Sequence, residues 1–285
     1  MSDSAVLVIG GGATGLQAAA RLADTGAHVL LIDKMETVGG KMAALLSHDP
    51  ALLHMNGGVA PPSLDSLRND PRIEIMTLAE LTEFSGKPGR FRATVEQKAR
   101  FVTDACTQCN KCRQVCPVVL PNEHESGMTF RKAIYTPYRD AIPSAYVIDI
   151  DRCLNEPPNY LPCQRCVEVC EPNCIDFSMP DRESFTRKID AVIVAVGFDL
   201  EGVPPIQGYD YGRHPDIVTG MELESLLSPV GPTGGFVERP FNGETPEKML
   251  FILHDASLFA WACAAAQTRR LLEQDIADIT VLHNT

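Results

Sequence analysis

Cys106, Cys109, Cys112 and Cys116 stand at the spacing C-x2-C-x2-C-x3-C, and Pro117 follows the last of them. This run constrains the fold more than any other stretch. Three thiols two residues apart wrap one corner of a four-iron cubane, and the fourth reaches across to a second one. The competing reading is zinc, which prefers separated C-x2-4-C pairs and a closed tetrahedron. Nine of the ten cysteines lie between Cys106 and Cys174, and Cys263 stands apart. The chain opens on no basic and apolar leader, so a reducing cytoplasm is expected, where clustered cysteines are ligands more often than disulfides.

A second group reads Cys153, Cys163, Cys166, Cys170 and Cys174. Cys163-x2-Cys166-x3-Cys170 matches the last three positions of the same kind of run. Its first position falls on Tyr160, so Cys153 is expected to take that place, displaced by an insertion over residues 155–160. Glu171 stands where a proline is usual. In the two-cluster pattern Cys106, Cys109 and Cys112 share a cluster with Cys170, while Cys153, Cys163 and Cys166 share one with Cys116. Two [4Fe-4S] clusters are therefore expected. Cys174 is a fifth thiol, either a ligand in place of Cys153 or a small buried apolar residue.

The chain also begins with VLVIGGGATG. Residues 5–10 read as a buried parallel strand, residues 14–25 carry a helical period, Gly26 suits a left-handed cap, and residues 28–33 form the next strand. Gly10, Gly12 and Gly15 fill G-x-G-x-x-G, with Ala13 and Thr14 between them. The first glycine allows the tight turn, the second lets a pyrophosphate approach the backbone, and the third lets helix and strand lie close. The helix N-terminus offers N–H groups and partial positive charge to phosphates. Asp33, with Lys34 after it, ends the second strand, where an acid accepts from ribose hydroxyls. The bland alternative is a glycine-rich turn with no nucleotide.

Further on, residues 73–77 look like a strand, and residues 80–84 and 91–97 flank a Gly86-Lys87-Pro88-Gly89 turn, which suggests a hairpin. Residues 104–177 are rich in Cys and Pro, so this part is expected to be held by its clusters more than by an apolar core. A buried strand over residues 189–196 then restores the first domain, which makes the cysteine-rich part an insertion. A long Pro/Gly-rich connection includes a short helix at residues 221–227. Residues 249–253, 258–273 and 279–282 form a second strand-helix-strand unit. The expected fold is α/β: a Rossmann-like dinucleotide-binding domain (residues 1–103 and 178–246), an inserted two-cluster domain (104–177) and a partial second nucleotide-binding-like unit (247–285).

The 285 residues are 45% hydrophobic and carry a formal net charge of -12. That balance supports an ordinary core and argues against nucleic acid, which needs a basic patch. The longest apolar runs are strand length, too short to span a membrane as a helix. No nucleophile-base pair or paired-carboxylate motif stands out, so no catalytic side chain is assigned.

Together these features resemble the A subunit of heterodisulfide reductase and its shorter relatives. Glycine cradle, ferredoxin-type run and strand return come in that family's order. The stretches RKAIYTPYRDAIPSAYVID and VTGMELESLLSPVGPTGG are also similar to it. Gly39-Gly40 resembles the second glycine pair of FAD enzymes, and Val194-Ala195-Val196-Gly197-Phe198 resembles their later strand end with valine in place of threonine. The resemblance implies a thioredoxin-reductase-like core, FAD rather than NAD, and electron exchange between flavin and clusters. It also implies a larger complex built on a homodimer.

Lys41 follows Gly39-Gly40 and is a candidate contact for flavin or phosphate, beside the equal alternative of a solvated lysine. His54 and Asn56 lie in a glycine-rich loop and, by analogy with related flavoproteins, are candidates to approach the flavin, beside the alternative of a structural or exposed histidine. Arg131 and Lys132 either screen a cluster or lie on the surface. The short form resembles one component of the heterodisulfide-reductase-like complex of sulfur-oxidising bacteria. The family's additional cysteine group is reduced to Cys263. The turn His254-Asp255-Ala256-Ser257-Leu258 lacks glycine and carries an acid, which argues against NAD(P)H there. Two competing readings remain: a self-contained NAD(P)H oxidoreductase, and a non-catalytic assembly scaffold.

Overall fold

The structure is a computed structural model; it describes residues 5–41, 64–137, 141–155, 163–197, 209–229, 231–253 and 257–283. His54, Asn56, Thr285 and the turn residues His254, Asp255 and Ala256 lie outside the described residues. The chain separates into two compact units. One comprises Met1–Gly40, Pro61–Pro121 and Phe130–Gly197, and the other Lys41–Ala60, Asn122–Thr129 and Phe198–Thr285.

The first unit starts with β1 (Ala5–Ile9), α1 (Ala13–Asp24) and β2 (His28–Asp33). Apolar residues on one face of α1 explain its seat: Leu16, Ala19 and Ala23 are buried with Val8, Val29 and Leu31. Helix α1 ends where Gly26 takes φ of 86°, its N–H donating to the Ala23 carbonyl at 2.8 Å. A short helix, α2 (Leu64–Asn69), precedes β3 (Ile73–Thr77). Strands β1, β2 and β3 pair in parallel, Val8 lying opposite Leu31 and Leu31 opposite Ile75.

Next come β4 (Ala79–Lys87) and β5 (Arg90–Lys98), the expected hairpin in antiparallel register. Beyond them lie α3 (Lys111–Val115), β6 (Leu120–Pro121), β7 (Phe130–Arg131), β8 (Ile134–Tyr135), β9 (Val147–Ile148) and α4 (Arg165–Glu168). Strand β10 (Arg182–Ile189) then runs antiparallel beside β5, with Lys98 opposite Arg182. Residues 99–181 therefore leave and rejoin one ladder at the same end. Strand β11 (Ala191–Val194) follows and joins β1, giving the parallel order β11-β1-β2-β3.

Two expectations need correction. The strand over residues 189–196 is neither continuous nor fully buried. Ile189 closes β10, Asp190 turns the chain, and β11 is an edge strand that stops at Val194, with Val194 67% exposed and Val196, beyond the strand, 68% exposed. Asp190 fixes the turn by accepting the Ala5 N–H at 2.9 Å. The cysteine-rich segment also has an apolar core of its own. Phe101, Val102, Ile134, Tyr146, Ile148 and Ile175 are buried together, with cysteines packed around them.

The second unit holds α5 (Gly220–Leu227), β12 (Lys248–Leu253), α6 (Leu258–Leu272) and β13 (Asp278–His283). Helix α5 starts at a capping box: the Thr219 hydroxyl accepts the Glu222 N–H, and the Glu222 carboxylate accepts the Thr219 N–H. Strands β12 and β13 pair in parallel, and Leu223, Leu226, Leu227 and Leu271 form the local core. None of the described helices is long and apolar enough to cross a membrane.

Candidate functional site

The glycine turn sits between β1 and α1. Gly10 adopts φ of 102°, and a Cβ there would lie 2.3 Å from the Ala195 carbonyl oxygen. A Cβ on Gly15 would lie 1.8 Å from the Gly10 carbonyl oxygen, so helix and turn meet backbone to backbone. A Cβ on Gly12 would meet nothing within 4 Å. The three glycines thus divide the work. Gly10 and Gly15 close the turn, and Gly12 leaves open space before the first turn of α1. Gly12 is also the N-cap and supplies no capping side chain, so the first N–H groups, from Ala13 and Thr14, are left for a ligand or water.

Gly39 and Gly40 close on this turn. The Gly39 N–H donates to the Gly11 carbonyl at 2.7 Å, and Gly40 packs so tightly that a Cβ would lie 3.1 Å from the Gly12 Cα. Asp33 braces the turn from β2. Its carboxylate accepts the Gly11 N–H at 2.6 Å and the Met35 N–H at 2.8 Å. Each carboxylate oxygen keeps a further lone pair for another donor. Lys34 is exposed, Lys41 half-buried, and Gly197 exposed with φ of 70° just past β11. An open approach, uncapped helix amides and a backbone-only floor fit a dinucleotide pyrophosphate.

The cysteines line two cavities. Cys106, Cys109, Cys112, Cys170 and Cys174 surround the first, about 310 Å³ of space that includes open solvent. Cys116, Cys153, Cys163 and Cys166 surround the second, about 330 Å³ measured likewise. Helix α3 carries Cys112 and α4 carries Cys166, so one short helix serves each cavity. Between Cys106 and Cys112 the backbone turns twice into the left-handed region, at Gln108 (φ 53°) and Asn110 (φ 67°). Tyr146 holds the second turn, its hydroxyl donating to Asn110 Oδ1 at 2.8 Å.

Cys174 lies in the first cavity, 4% exposed, with its sulfur 3.3 Å from the Cys170 sulfur. Its backbone N–H also reaches the Cys170 sulfur at 3.4 Å. Cys153 sits in the second cavity and Cys174 does not. Burial, followed by the neighbouring thiols, pushes Cys112 and Cys174 up to about 12 and Cys166 up to about 11. Among the described residues, no group of three or more His, Cys, Asp or Glu is arranged to hold a single metal ion. Two groups of thiols around apolar-walled spaces suit the soft, multi-atom donor demand of iron–sulfur clusters.

Other residues, which no spacing in the sequence marks, join these places. Glu36 is buried at 5% exposure and accepts the Tyr135 hydroxyl at 3.2 Å. The Ile142 N–H donates to the Thr37 hydroxyl at 3.0 Å, and the Val38 N–H to the Ile142 carbonyl at 3.2 Å. Arg131 is a buried structural cation, paired with Asp149 at 2.8 Å and stacked 4.1 Å above the Tyr135 ring. Arg100 donates to Thr77 and to the carbonyls of Glu36 and Ala145. The partners in most of these bonds are distant in the chain.

Comparison with known proteins gives likenesses to flavoenzymes and to heterodisulfide reductase subunits. Residues 5–105 match the family model of FAD dependent oxidoreductases. Over 88% of its length the chain is 37% identical to the iron-sulfur A subunit of the CoB–CoM heterodisulfide reductase of Methanocaldococcus jannaschii. It is 39% identical, again over 88% of its length, to a corresponding A subunit of Methanopyrus kandleri. The chain is a homologue of the heterodisulfide reductase A subunits. It spans little more than a third of these relatives, 37% and 36% of their lengths. Its first domain accordingly has the α/β fold of FAD-dependent oxidoreductases, with a parallel sheet. Among solved structures, L-proline dehydrogenase of P. horikoshii aligns over 99% of the chain and 35% of its own, at a TM-score of 0.36 and 11% identity.

Proposed function

We propose that this chain is an electron-transfer component of a heterodisulfide-reductase-like complex, binding FAD at the glycine cradle and one [4Fe-4S] cluster at each cysteine cavity. The observation that carries this reading is the division of the thiols, with Cys106, Cys109, Cys112 and Cys170 around one space and Cys116, Cys153, Cys163 and Cys166 around another. In this reading residues 99–181 form a ferredoxin-type insert, and Cys153 rather than Cys174 completes the second ligand set. When bound, FAD supplies a two-electron carrier and the clusters supply one-electron carriers.

The residues present would then act as follows. Gly12 leaves room for the pyrophosphate, and the first-turn amides of α1 donate to it. Asp33 accepts from ribose while it braces Gly11. The apolar lining around the thiols excludes water and, with hydrogen bonds to sulfur, sets cluster potential. The setting is the disulfide chemistry of the relatives or the sulfur oxidation of a shorter complex. The location is the cytoplasm, and the partners are other subunits around a homodimer core.

Purified protein tests the reading. Flavin and iron should both be present, and Cys109→Ser should remove one of two paramagnetic resonance signals from the reduced protein. An unchanged spectrum would refute that ligand. Rapid mixing with NADH should leave the flavin oxidised, because the sequence of the second strand-helix-strand unit has no glycine turn for a second dinucleotide. Fast bleaching would favour the self-contained oxidoreductase.

A further inference from the structure

Arg100 stands two residues beyond β5, where the chain departs for the cysteine segment. The neck itself closes there, the Ala99 N–H donating to the Asp181 carbonyl at 2.9 Å and the Ile148 N–H to the Arg100 carbonyl at 3.2 Å. Its guanidinium then binds three segments at once. It donates to the Glu36 carbonyl on the loop after β2, to the Thr77 hydroxyl at 2.8 Å at the end of β3, and to the Ala145 carbonyl at 3.4 Å in the cysteine segment.

Those segments lead directly to the two places described above. Glu36 begins the stretch that ends in Gly39 and Gly40, and Gly39 is bonded to Gly11 in the cradle. Ala145 precedes Tyr146, which lines the first cavity and holds Asn110 between Cys109 and Cys112. Val102, two residues after Arg100, lines the same cavity. A continuous set of bonds therefore runs from the glycine turn through Arg100 to the thiols.

The chemistry of the group matters. Taking a guanidinium partly out of water to bond neutral acceptors is costly, and apolar packing commonly stabilises a fold as well or better. Burial lowers the pKa of Arg100, with Glu36 opposing that shift. What a guanidinium adds is a planar fork of donors in fixed directions, which a lysine ammonium does not supply. Such a group sets distances between the segments it joins.

We infer that Arg100 is a positioning residue that fixes the separation between the dinucleotide cradle and the cavity of Cys106, Cys109, Cys112 and Cys170. This inference rests on the flavin and cluster reading above. The spacing it sets governs how fast an electron crosses, because electronic coupling falls steeply with distance.

The test compares holoprotein with Arg100→Lys and Thr77→Val. Flavin, iron and midpoint potentials are measured first, then the rate of flavin-to-cluster transfer after flash reduction of the flavin. Arg100→Lys should keep both cofactors and their potentials, yet slow internal transfer by about tenfold or more, as small misplacements do. In cofactor-free protein the Tyr146 and Gly39 amides should exchange hydrogen faster. Thr77→Val removes one bond from the fork and should give a smaller change of the same sign, which decides the matter if Arg100→Lys does not fold. Unchanged rates and exchange in variants that retain both cofactors would overturn the positioning role. Absence of flavin or iron from the unaltered protein would instead overturn the underlying functional reading.

Discussion

At the residue scale, Gly12 and Gly15 have opposite sensitivities although they belong to one motif. A side chain at Gly12 enters open space, and its backbone is extended, with φ of -74° and ψ of -174°. Gly12→Val should therefore fold with stability within about 0.5 kcal/mol of the original, and lose FAD. Gly15→Ala drives a methyl into the Gly10 carbonyl and should cost about 1–3 kcal/mol or more. Thermal melting and flavin content measured together separate the two. Full flavin retention in Gly12→Val would refute the placement of the pyrophosphate. The Arg131–Asp149 pair offers a second contrast, because its side chains are only 10% and 20% exposed. Asp149→Ala leaves Arg131 without its carboxylate and should destabilise the first unit by about 3 kcal/mol in chemical denaturation.

At the element scale, the capping box of α5 is the clearest local device in the second unit. Thr219→Ala removes the hydroxyl that accepts the Glu222 N–H and should cost that unit about 1 kcal/mol, read as a lower denaturation midpoint. Most elements are legible in the sequence because each writes its own period. The apolar face of α1, the glycine turn, the hairpin of β4 and β5, and the strand-helix-strand of β12, α6 and β13 all read correctly. Strand β10 is not legible in that way. It is defined by a partner in β5, Thr186 facing Thr94, and no local period announces a ladder formed across such a sequence gap. The break at Asp190 escapes for the same reason, since it depends on the Ala5 N–H. The cradle glycines and the cysteine runs are legible because fixed spacing is their signal. Arg100, Glu36 and Tyr146 are not, because each is defined by what it touches.

At the scale of the whole molecule, the order of the chain explains how one polypeptide carries two kinds of site. A parallel sheet supplies a turn at the C-terminal ends of its strands, where α/β folds bind ligands. An antiparallel ladder, β5 with β10, supplies a neck from which residues 99–181 emerge and return. The segment beyond that neck has its own buried residues, so it can keep shape around soft ligands. The polar bonds of Arg100, Glu36 and Thr37 then lock it to the loop that carries Gly39 and Gly40.

The most direct measurement is quantification of flavin, iron and acid-labile sulfide in protein purified without air, with a paramagnetic resonance spectrum of the reduced form. The account predicts one FAD and the iron and sulfide of two [4Fe-4S] clusters per chain, one signal lost in Cys109→Ser and the other in Cys163→Ser. Colourless protein, or thiols filled by zinc, would contradict it.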